Sequence, residues 1–149
     1  MEERPFRFQY RVPVRFKDID IGGHAHHSHA LVYFEEARAA YWREVVGRQG
    51  LNDVDYILAE VHVRYHRRVL WPQDLDVGVR VSRLGKRHFE MTYEAVGSDG
   101  KKLVSGSSTQ VMYDYESGST RGIPEDVELA IREQDGPFDP GGRPSAEGG

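Results

Sequence analysis

The chain has no cysteine in its 149 residues. This excludes a disulfide framework, a thiolate metal site and a cysteine nucleophile. Long hydrophobic runs are missing as well, and charged residues make up 30% of the composition. No segment stays apolar over the roughly 20 residues that a membrane helix needs. A basic excess is also absent: 20 Lys and Arg stand against 24 Asp and Glu, a net charge of -4. There is no bulk positive field to hold a nucleic-acid backbone. A local cationic spot for a small anionic ligand is compatible with the same count. The opening residues Met1-Glu2-Glu3-Arg4-Pro5 lack the apolar stretch of a secretion signal, so a cytoplasmic protein is expected.

The length suits a single domain with one core. Gly and Pro gather at the C-terminal end. Residues Asp135 to Gly149 hold five Gly and three Pro, with Phe138 as the one large apolar group. Such a stretch buries too little to offset its ordering entropy. The expected organisation is a folded domain over 1–134 and a disordered tail over 135–149.

Two periodicities fill the rest. Phe6, Phe8, Tyr10, Val12, Val14 and Phe16 alternate with polar residues and predict a half-buried strand. Pro13 within it suits a sheet edge or a bulge, because it cannot donate to a ladder. Between Ser28 and Val46, Ala30, Phe34, Ala37, Tyr41 and Val45 recur at three- and four-residue steps, a helical spacing, with Gly47 as the stop. Alternation then returns in Val61–His66, Asp74–Val81, His88–Ala95 and Leu103–Tyr113, with short turns between the later segments. Pro124–Glu133 suits a short closing helix. Hairpin-length turns imply antiparallel pairing. The layout is α+β: one long helix on a curved antiparallel sheet of about five strands. One helix is little cover for that sheet, so a homodimer or higher oligomer is expected.

Chemistry concentrates in Asp18-Ile19-Asp20-Ile21-Gly22-Gly23-His24-Ala25-His26-His27-Ser28-His29. Three readings compete. The imidazoles of His24, His26, His27 and His29 are possible metal ligands, but their spacing matches no zinc signature. The carboxylates and glycines suit a structural turn, the reading favoured for Asp18. A catalytic site at a helix N-terminus is the third: free N–H groups there suit a developing oxyanion, and a nearby carboxylate can activate water or attack a carbonyl.

The run Arg15-Phe16-Lys17-Asp18-Ile19-Asp20-Ile21-Gly22-Gly23-His24, followed by Tyr33-Phe34-Glu35-Glu36-Ala37-Arg38, resembles the 4-hydroxybenzoyl-CoA thioesterase-like group of the hotdog superfamily. Val61-His62-Val63-Arg64-Tyr65, Asp74-Leu75-Asp76-Val77, Ser82-Arg83-Leu84-Gly85 and Ile123-Pro124-Glu125 extend the likeness to roughly residues 6 to 133. The resemblance implies a hotdog fold, a long helix wrapped by an antiparallel sheet, with active sites between subunits of a homodimer or homotetramer. It implies hydrolysis of an acyl-CoA or acyl-carrier-protein thioester. No cofactor or metal is expected. Asp20 matches the family's general base or nucleophile. His27 falls where a backbone amide binds the thioester oxygen, and Gly23 matches the loop glycine. Lys86 and Arg87 lie where related enzymes contact coenzyme phosphates, and Glu60 is a candidate to line the site from a second subunit. The chain departs from the family at His26, at His29 and at Ala30, which leaves a smaller group near the acyl pocket. The alternative is a non-catalytic acyl-thioester binding module of the same fold.

Overall fold

The computed structural model describes residues 6–50 and 54–145. Strand β1 (Phe8–Pro13) leads through a short 3-10 turn (Phe16–Asp18) to helix α1 (His29–Glu44). Strands β2 (Tyr56–Tyr65), β3 (Asp74–Leu84), β4 (His88–Val96), β5 (Lys102–Asp114) and β6 (Ser119–Thr120) follow, and helix α2 (Glu125–Asp135) closes the series. Every strand pairing is antiparallel. The order across the sheet is β1-β3-β4-β5-β2, with β6 attached to β5. The five expected strands are therefore present, with two-residue β6 in addition. Helix α1 spans 16 residues and ends ahead of Gly47, whose φ of 87° is the left-handed stop expected there. Pro13 ends edge strand β1, where its missing N–H costs no inner ladder bond.

The alternation in β3 and β4 translates directly into a core. Leu75, Val77, Val79 and Val81 are fully buried, and so are Phe89, Met91, Tyr93 and Ala95. Each large apolar side chain taken out of water in this way stabilises by about 1.5–3 kcal/mol. Helix α1 covers this face. Phe34 stacks on Tyr93 at 4.6 Å and Trp42 on Phe89 at 5.3 Å between ring centres. At Gly106 of β5 a Cβ would lie 2.8 Å from Phe34, so the absent side chain lets the helix sit close to the sheet.

Strand β2 behaves differently. It starts at Tyr56, five residues before the expected Val61, and it forms the sheet edge beyond β5 rather than pairing with β3. Its alternation does not separate a buried face from a wet one: Ile57, Leu58 and Tyr65 are all exposed.

The expected disordered tail is only partly outside the described residues. Residues 146–149 lie there, but 135–145 pack onto β3. The carboxylate of Asp135 accepts from the Tyr41 hydroxyl at 2.5 Å and from the Val81 N–H at 2.9 Å. Phe138 joins the core, Phe138 and Pro144 form an antiparallel bridge, and the Leu84 N–H donates to the Gly142 carbonyl at 2.7 Å. Composition registered one apolar side chain in this stretch. It could not register a buried carboxylate and backbone groups that complete the end of β3, beside its bulge at Val81–Arg83.

Candidate active site

The chemistry-bearing segment folds as a tight turn between β1 and α1. Ile19 and Ala25 bridge antiparallel, the Asp20 N–H donates to His24 O, and the Gly23 N–H donates to Asp20 O, both at 3.0 Å. Gly23 has φ of 84°, which a side chain would strain. Two more backbone bonds fasten the turn: Ala25 N–H to Val69 O at 2.8 Å and His26 N–H to Asp18 O at 2.9 Å.

Asp18 is the structural carboxylate. It is 4% exposed and accepts from the Arg15 N–H at 3.0 Å and the Tyr33 hydroxyl at 2.8 Å, with His29 Nδ1 at 3.4 Å. Burial works to raise its pKa. The two hydrogen bonds, with the charges of His29 and Lys17, outweigh burial and hold it below the ordinary carboxylate value. Burial first, then the Asp18 hydrogen bond, pushes the Tyr33 phenol up, so it stays a donor.

Asp20 stands differently. It is half-buried, and Oδ1 accepts the Gly22 N–H at 2.8 Å. It lines a cavity of about 390 Å³ together with His24, His26, His27, Ala30 and Tyr33. The start of α1 adjoins this space. His26 Nδ1 accepts the Ser28 N–H at 3.2 Å and contacts Ser28 Oγ at 2.9 Å, so an imidazole takes over part of the work of a helix cap. The N–H groups of His29, Ala30 and Leu31 bond back to His26, His27 and Ser28 carbonyls. The His27 N–H has no acceptor among the described residues. Its own peptide unit is polarised, because the His26 carbonyl accepts from His29.

The remaining wall comes from the end of β2 and the chain after it: Tyr65, His66, Arg67, Arg68 and Val69. No site role was expected for these residues. The signal was available as an aromatic followed by three consecutive basic or imidazole side chains. The expected site residues divide. Asp20 and His27 share the cavity. Gly23 shapes the turn without lining it. Glu60 lies inside β2, exposed, 3.4 Å from His62 Nε2. Lys86 and Arg87 sit in the β3–β4 turn, where the Lys86 carbonyl accepts from Ile123 and the Arg87 carbonyl from Met112. Val104 of β5 lines the cavity, whereas Val111 pairs with His88 beside Arg87. That separation along one strand is roughly 23 Å at 3.3 Å per residue. One chain therefore does not bring Lys86 and Arg87 to its own cavity. Among the described residues no three His, Asp or Glu side chains converge as a metal site, and no helix is long and apolar enough to cross a membrane.

The chain belongs to the thioesterase-like superfamily, whose sequence model matches residues 14–131. The uncharacterised protein YsmA of Bacillus subtilis (strain 168) is 26% identical over 113 residues, 76% of this chain and 77% of its own length. A thioesterase from Thermus thermophilus, solved with coenzyme A and zinc, is 29% identical and superposes with a TM-score of 0.77, covering 87% of this chain and 95% of its own. A DHNA-CoA thioesterase from Staphylococcus aureus shares the fold at 17% identity and a TM-score of 0.76, over 85% and 89% of the two chains.

Proposed function

We propose that this chain is a thioester hydrolase acting on acyl-CoA or acyl-carrier-protein substrates, with Asp20 as general base or nucleophile. The thioester carbonyl sits at the start of α1 with its oxygen on the His27 N–H. Asp20 either takes a proton from water as the water oxygen attacks the carbonyl carbon, or attacks that carbon itself. The negative charge that develops on the oxygen is met by a fixed N–H and the positive end of the helix dipole. Collapse breaks the carbon–sulfur bond. After attack by water the thiolate leaves with the proton that Asp20 took; after direct attack the acyl group stays on Asp20 as a mixed anhydride, which a water then hydrolyses, freeing the carboxylate and supplying the thiol's proton. The observation that carries this reading is that Asp20 and His27, whose backbone N–H is unbonded among the described residues, line one cavity. Gly23 holds the loop on which both depend.

We also propose a homo-oligomer. The exposed edge strand β2, with Ile57 and Leu58 open, is a surface that proteins normally cover. A second copy is the route by which Lys86, Arg87 and Glu60 contribute to substrate binding.

The test is a panel of acyl-CoA thioesters with released thiol as the readout, run on the wild type and on Asp20→Asn. Turnover by the wild type and a loss of about 100-fold or more in the variant is expected. Equal turnover by both sinks the assignment of Asp20. Affinity for the esters without hydrolysis of any would make the chain a binding module instead.

A further inference from the structure

Hydrolysis of a thioester needs a carboxylate and an oxyanion donor, and neither accounts for the cationic part of the cavity. Among the described residues, Asp20 is the one acidic residue lining it, against Arg67, Arg68 and four imidazoles, those of His24, His26, His27 and His66. Elsewhere many arginines are neutralised: Arg11, Arg15, Arg48, Arg83, Arg121 and Arg132 each lie 2.6–3.8 Å from a carboxylate. The guanidiniums of Arg67 and Arg68 have no hydrogen-bond or ion-pair partner among the described residues. Their backbone is nevertheless held firmly. The N–H groups of His66 and Arg67 both donate to Leu103 O, at 2.8 and 3.2 Å, and the Val69 carbonyl accepts from Ala25 of the catalytic turn. The backbone on either side of these two exposed side chains is thus tied to the same frame as Asp20.

The thioester group is neutral, so these cations answer to a charge elsewhere on the substrate. Size chooses between its two ends. The cavity is half open, and a compact space of 390 Å³ is roughly 7–9 Å across. The extended pantetheine arm holds the first coenzyme phosphate roughly 15 Å from the sulfur, counting its bonds. A carboxylate at the end of a short acyl group falls within the cavity, and the phosphates fall outside it.

Building on the hydrolase reading, the geometry points to Arg67 and Arg68 as specificity residues that bind a carboxylate carried by the acyl group. The preferred substrate class is a short carboxyacyl thioester. Arginine suits this role because its fork matches a carboxylate with two parallel hydrogen bonds.

The test compares glutaryl and valeryl thioesters, equal in carbon count, on two carriers: coenzyme A and N-acetylcysteamine, which has no phosphate. Wild type should favour glutaryl about tenfold in kcat/KM on both carriers. In the Arg67→Gln/Arg68→Gln double variant that ratio should fall to near one. A wild type without preference, or a preference that survives the double substitution, overturns the assignment. So does a variant that loses both coenzyme A esters equally while keeping the N-acetylcysteamine esters, because the arginines would then read the phosphates. If the wild type hydrolyses nothing, the hydrolase reading fails separately. Calorimetry with carboxyalkyl and alkyl thioethers of coenzyme A then decides the binding claim: tighter binding of the carboxylated analogue by wild type alone upholds it, and equal affinities overturn it.

Discussion

The hydroxyl of Tyr65, the last residue of β2, donates to the main-chain carbonyl of His27. This joins a sheet edge to the turn from which α1 starts, across 38 positions of sequence. The same carbonyl accepts the Ala30 N–H at 3.4 Å, so two donors set the peptide that follows the proposed oxyanion amide.

Tyr65 is accordingly a positioning residue. Tyr65→Phe should lower kcat about tenfold and leave KM within roughly twofold, since a donor aimed at the developing oxyanion matters most in the transition state. Steady-state kinetics on one acyl-CoA reads this. A rise in KM with kcat unchanged would place Tyr65 in ground-state binding instead.

The two glycines of the turn make separable predictions. At Gly23 a Cβ meets nothing within 4 Å, but φ is 84°. Gly23→Ala should therefore cost about 1–2 kcal/mol of stability through backbone strain alone. At Gly22 a Cβ would lie 3.1 Å from Asp20 Oδ1 and 3.2 Å from His24 Nε2. Gly22→Ala should displace the carboxylate and depress turnover with a smaller change in Tm. Thermal melts beside kinetics distinguish the two, and identical profiles would contradict the distinction.

Asp18 links the site to acid stability. Its pKa is lowered in the folded state, so its contribution is complete above the unfolded value, about 4 for an aspartate, and is lost as pH falls through the depressed folded value. At pH 7 Asp18→Asn should be less stable than wild type by about 1–3 kcal/mol. That gap should narrow on acidification below about pH 4. Denaturant melts at several pH values check this, and a constant gap would rule out linkage through Asp18.

Asp135 tests the C-terminal clasp. Asp135→Ala leaves the buried Tyr41 hydroxyl and the Val81 N–H without this acceptor. A loss of about 2–4 kcal/mol is expected, from two buried donors left unsatisfied. A substitution in a free tail would move Tm little, so an unchanged melt would detach this segment from the domain.

Much of this molecule follows from short-range pattern. Alternation in Leu75–Val81 and Phe89–Ala95 specified an inward face because successive strand side chains point to opposite sides. The recurrence of Ala30, Phe34, Ala37 and Tyr41 specified the buried stripe of α1 for the same kind of geometric reason. The density of Asp20, Gly22, Gly23 and His27 within one turn located the candidate site. Family resemblance supplied the chemistry that spacing left open among three readings.

Long-range pairing was not contained in those patterns. Alternation cannot say that β2 joins β5 at the sheet edge, because a two-residue period is satisfied by any neighbour. That pairing delivers Tyr65, Arg67 and Arg68 to the Asp20 turn, and the length of β5 keeps Lys86 and Arg87 away from it. The segment after Asp135 is a parallel case. Its composition marked it as unable to build a core, yet it needed only to complete one, through a carboxylate and a carbonyl placed against β3. Local chemistry along the chain determined which elements form and where the reactive groups lie. The tertiary structure decided which of those groups meet, because that depends on burial and hydrogen-bond partners supplied by distant parts of the chain.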